Sequence, residues 1–111
     1  MFLTNTESFP GKRIVRVLGL VYGSTVRAKH IGRDIAAGLK HIFGGELKGY
    51  TELLADSRNE ALRRMIEQAN TLGGNAVVAV RFATSSITPQ GAEVLAYGTA
   101  VVIEDDDTEY E

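Results

Sequence analysis

At 111 residues the chain has room for one domain and no second core. Its 44% hydrophobic and 23% charged content is that of a globular protein, and the absence of cysteine excludes disulfides, thiolate metal sites and a cysteine nucleophile. The net charge of −2 hides an asymmetry: six of the fourteen acids lie in Glu104–Glu111, which leaves residues 1–103 at about +4.

Met1 to Glu7 has no basic start and no sustained apolar stretch, so it does not read as a secretory signal, and no run approaches the roughly 18 apolar residues of a membrane span. A cytoplasmic protein is the expectation, with one domain over 1–103 and a solubilising, disordered acidic tail over 104–111.

Phe9-Pro10-Gly11 signals a turn, after which Arg13 to Gly23 reads as a strand. Its even positions, Ile14, Arg16, Leu18, Leu20 and Tyr22, are large. Its odd positions, Val15, Val17, Gly19, Val21 and Gly23, are small but apolar as well. From about His30 the period becomes helical. Ile31, Ile35, Leu39, Ile42 and Phe43 share one arc of roughly 120°, and Gly44-Gly45 stops the helix. A second helix is predicted from about Glu46 to Leu72, on the order of 40 Å long, with Ala61, Met65, Ala69 and Leu72 in its stripe and Gly73-Gly74 as its stop. Asn75 to Thr84 and Ala92 to Ile103 follow as strands around the turn Thr88-Pro89-Gln90-Gly91, a spacing that fits an antiparallel hairpin.

The order β-α-α-β-β predicts an α+β domain: a three-stranded antiparallel sheet with a long helix packed on one face. All three strands are apolar on both faces, whereas a half-solvated antiparallel sheet alternates apolar with polar. The uncovered face, taken to be the one rich in Gly, Ala and Val, is expected to meet another copy of the chain. The competing expectation is that the N-terminal segment folds over it.

Leu72-Gly73-Gly74-Asn75-Ala76-Val77-Val78-Ala79-Val80-Arg81-Phe82, Ala96-Tyr97-Gly98-Thr99-Ala100-Val101 and Gly19-Leu20-Val21-Tyr22-Gly23, with Arg33-Asp34-Ile35 and Gly44-Gly45-Glu46 between them, resemble the YbjQ-like family of uncharacterised proteins. The resemblance runs through nearly the whole chain except the acidic tail. It implies a dodecin-like subunit that assembles as a homo-oligomeric ring, commonly a pentamer. It also carries a heavy-metal-binding label, which the absence of cysteine does not help. It brings no catalytic residues.

Candidate chemistry is sparse. His30 and Asp34 stand one helical turn apart and could supply two ligands to a divalent metal such as zinc, while His41 lies roughly 16 Å further along. Polar residues bordering an apolar stripe are the plainer reading. Gly44 to Gly49 could hold an anion on free N–H groups, but it matches neither the P-loop nor the dinucleotide fingerprint, so no organic cofactor is indicated. Ser24-Thr25, Ser57 and Ser85-Ser86 are hydroxyls outside any nucleophile-elbow sequence. The spacings Glu52/Asp56 and Glu60/Arg64 fit a helix surface. Basic residues such as Lys12, Arg13, Arg16, Arg58 and Arg64 are interleaved with acids and lack an aromatic stacking motif, which argues against nucleic acid. The sequence reads as a non-enzymatic homo-oligomeric binding or scaffold protein of unknown ligand. A metal- or small-ligand-binding ring comes second, and an enzyme third.

Overall fold

The computed structural model describes residues 1–27, 47–88 and 91–106, with side chains over 1–26, 55–85 and 93–106. The first predicted helix, and with it His30, Asp34 and His41, lies outside the described residues. The described elements are β1 (Phe2–Leu3), β2 (Lys12–Arg27), α1 (Leu47–Thr71), β3 (Ala76–Thr88) and β4 (Gly91–Asp105).

The strands form one sheet in the order β1-β3-β4-β2. β4 pairs antiparallel with both long neighbours, and the β3–β4 ladder runs down to Thr88 opposite Gly91, as the hairpin signal implied. The prediction of three antiparallel strands is corrected here: β1 adds a fourth strand, parallel to β3, so the sheet is mixed. The N-terminal chain follows the outer edge of β3 through Phe2 N to Asn75 O (3.1 Å), Thr4 N to Val77 O (3.1 Å) and Val80 N to Thr4 O (3.0 Å). β4 also continues through Asp105, because Arg13 stands opposite Glu104 and Lys12 opposite Asp105, each as an ion pair. Strand thus extends two residues into the stretch expected to be a disordered tail.

α1 carries Arg63 between Glu60 and Glu67, and Glu60 also bonds Arg64, all at helical i,i+3 or i,i+4 spacing. It stops where Gly73, at φ +87°, sends its N–H to Asn70 O (3.0 Å) while Gly74 N–H reaches Ala69 O (3.0 Å). This is a Schellman end, which needs a left-handed residue and finds glycine.

The main core lies between α1 and the sheet: Ala61, Met65 and Ala69 from the helix against Val21, Val77, Val94, Ala96 and Ala100. The expectation that the Gly/Ala/Val face is the uncovered one is therefore reversed. Small residues are needed under the helix because its backbone comes down onto β2. A Cβ at Gly23 would stand 2.5 Å from Met65 N and 2.7 Å from Arg64 Cβ. The strand parity read from the sequence also slips. Irregular register between Val17 and Gly19, with Gly19 at φ +125°, turns Leu18 toward the helix-side core and leaves Val17 68% exposed opposite Val101. On the second face, Phe9 packs on Ala76, Val78, Val101 and Ile103. The N-terminal segment thus covers one end of that face, and nothing among the described residues covers the other.

Candidate functional site

Directly opposed residues of neighbouring strands share a face. The β2–β4 register therefore lays successive rows on the side away from α1: Leu20 with Thr99, Tyr22 with Tyr97, Ser24 with Leu95, and Val26 with Glu93. Large apolar side chains lie in the open there, with Leu20 68%, Tyr22 55% and Val26 54% exposed. Leu20, Tyr22, Ser24, Glu93, Leu95 and Tyr97 border a shallow hollow of about 400 Å³. Glu93 is half-buried and, among the described residues of that lining, is the one carboxylate, with no Lys or Arg beside it. A second hollow of about 440 Å³ lies at the other edge of the sheet, bordered by Leu3, Leu62, Val80 and Phe82 among others.

The edge of β2 is partly closed by the helix. Gln68 and Arg64 stand one turn apart on α1. The Gln68 Oε1 accepts the Tyr22 N–H at 2.7 Å, and Arg64 Nη1 donates to the Ser24 carbonyl. These side chains occupy the positions that a further strand's C=O and N–H would take.

Those sequence-predicted candidates that lie among the described residues are not brought into one site. Thr25 is buried and its hydroxyl donates to the Ser57 carbonyl at 3.0 Å, so this pair ties β2 to α1. Ser85 is exposed on β3. Glu60 is engaged by Arg63 and Arg64, and the hydrogen bond from Arg63 holds its carboxyl down at about 2. Among the described residues no three His, Asp or Glu side chains stand together as a metal site, and the weak candidates His30, Asp34 and His41 fall outside them. The described residues thus offer no donor set that fits a metal. Among them, too, no helix is long and apolar enough to cross a membrane. The hollow at Tyr22 and Tyr97 was missed in the sequence. Its signal was Glu93, a single charge inside the apolar run from Ala92 to Ile103.

A two-layer α+β subunit with one face under a helix and the other open and apolar defines a class of fold. Its relatives place the chain within that class. Residues 1–104 match the YbjQ family model, whose description reads "Putative heavy-metal-binding". A UPF0145 protein of Hahella chejuensis is 66% identical over 104 residues, 94% of this chain and 100% of that one. One from Archaeoglobus fulgidus is 56% identical over 101 residues, 91% of this chain and 94% of that one. The chain belongs to the YbjQ, or UPF0145, family. A crystal structure of a protein of unknown function from Pediococcus pentosaceus, assigned to the DUF74 family, shares the fold at a TM-score of 0.63 with 18% identity, over 94% of this chain and 98% of that one.

Proposed function

We propose that the protein is a non-enzymatic, cytoplasmic binding or scaffold subunit whose copies assemble into a ring through the open face of the sheet. The observation that carries this reading is the row of exposed apolar side chains on β2: Val17, Leu20, Tyr22 and Val26, each more than half exposed. The open part of the face measures on the order of 400 Å², taking about 30 Å of strand and three strand spacings. That lies in the range of the largest apolar patches of ordinary monomers and is about half of the roughly 800 Å² per partner of a standard interface. The family resemblance supports five copies. The reading involves neither membrane nor nucleic acid.

Light scattering coupled to size exclusion at micromolar concentration tests it. A mass several times 12.0 kDa is expected, and a stable 12.0 kDa monomer overturns it. The family description motivates a metal-binding ring as a second reading. For that reading, zinc titrated into the assembled protein should release heat that His30→Ala abolishes, and equal heat from the variant removes it.

A further inference from the structure

The hollow on the open face has a chemistry of its own. Leu20 and Leu95 supply apolar surface, the directly opposed Tyr22 and Tyr97 supply aromatic rings, and Glu93 supplies a negative charge. Among the described residues the Glu93 carboxylate makes no hydrogen bond or ion pair, although it stands half-buried on an apolar face. An aromatic face attracts a cation through its quadrupole, and the carboxylate does so through its charge. An anion meets only repulsion. At about 400 Å³ the space falls in the range of small-molecule sites.

We propose that this hollow binds a small organic cation, its ammonium group at Glu93 and its apolar body running over Leu95 to the Tyr22–Tyr97 pair. Glu93 and Tyr97 are four residues apart on β4, which at about 3.3 Å per residue separates their Cα atoms by about 13 Å. The complementary ligand is therefore elongated, an arylalkyl or alkyl amine rather than a compact ion. The proposal goes beyond the assembly reading, because the six lining residues all come from one chain. Assembly through the same face would close the hollow over its ligand and raise the cost of leaving Glu93 without a cation.

Phenylbutylamine, phenylbutanol and phenylbutyrate, each with the ring on the terminal carbon, share one body and differ only in the charge of the head. Calorimetric titration of the full chain should rank them amine, alcohol, carboxylate, with the amine on the order of ten-fold tighter than the alcohol. In Glu93→Gln the amine and the alcohol should bind alike, with circular dichroism showing the variant folded. Equal binding of all three compounds, binding of none, or an amine preference that survives in Glu93→Gln would overturn the proposal. Light scattering on both proteins separates this result from the assembly. A monomer that keeps the amine preference leaves the site standing and removes only the ring. If Glu93→Gln dissociates the assembly and the native protein shows no head-group preference, the carboxylate serves a neighbouring copy's basic side chain, and the proposal fails.

Discussion

Ala79 stands at φ +54°, in the left-handed region, held there by its N–H bond to Thr6 O (2.8 Å) and by the neighbouring Val80 N–H bond to Thr4 O (3.0 Å). The β3–β4 register slips at this point, between Val78 and Arg81. Left-handed backbone costs an L residue about 1–2 kcal/mol that glycine does not bear, against about 0.5–1 kcal/mol for glycine's freer unfolded chain. Ala79→Gly is expected to raise stability by up to about 1 kcal/mol, seen as a higher midpoint in thermal denaturation. Gly23 behaves in the opposite way. Its missing Cβ is the space that the α1 backbone occupies, and no flexible side-chain tip can move aside to make room. Gly23→Ala should cost about 3 kcal/mol, and urea denaturation should show a midpoint shifted well below that of the unmodified chain.

At the scale of elements, α1 does more than cover the sheet. By bonding Tyr22 N–H and Ser24 C=O it caps the middle of an exposed sixteen-residue edge strand, where unpaired groups would otherwise invite strand addition. Gln68→Ala should leave the fold intact and speed hydrogen exchange of the Tyr22 amide on the order of ten-fold, measured residue by residue by NMR. Unchanged exchange would mean that another group protects that amide. The Glu60–Arg63–Arg64 cluster gives α1 a pH dependence. Because the Glu60 carboxyl titrates at about 2 when folded and at 4.5 ordinarily, its contribution is fully present above pH 4.5 and is lost as pH falls toward 2. Glu60→Gln should therefore flatten that part of the acid denaturation curve. The effect should be small and salt-sensitive, since the pairs lie at the surface. The stop of α1, the hairpin and the three long strands were legible in the sequence because a glycine pair, a turn signal and a change of period announce them. The faces were not. Counting alternate residues assumes unbroken pleating, and the register irregularity around Gly19 moves Val17 and Leu18 off their expected sides, while the one around Ala79 brings Val80 to the same side as Val77. β1 was illegible for another reason, since two residues have no period and only the hydrogen bonds to β3 make them a strand. The candidate site went unread: Glu93 is a lone charge in an apolar run, and its tyrosine neighbours come together only through the register.

The whole molecule is extended for its size. Its radius of gyration is 18.1 Å, where a compact domain of this length has about 13 Å. Its accessible surface is 7494 Å², against about 6,000 Å² for a folded monomer of 12.0 kDa. The two sides of the sheet make opposite predictions for a new charge. Val17 is exposed on the open side, so Val17→Glu should leave a folded chain, with native circular dichroism, that elutes as a smaller species. Ala96 is wholly buried beneath α1, so Ala96→Arg should unfold the chain instead of merely separating its copies. Light scattering and circular dichroism on the two variants decide the matter. If Val17→Glu keeps the native mass, the open face around Val17 is not a contact between copies.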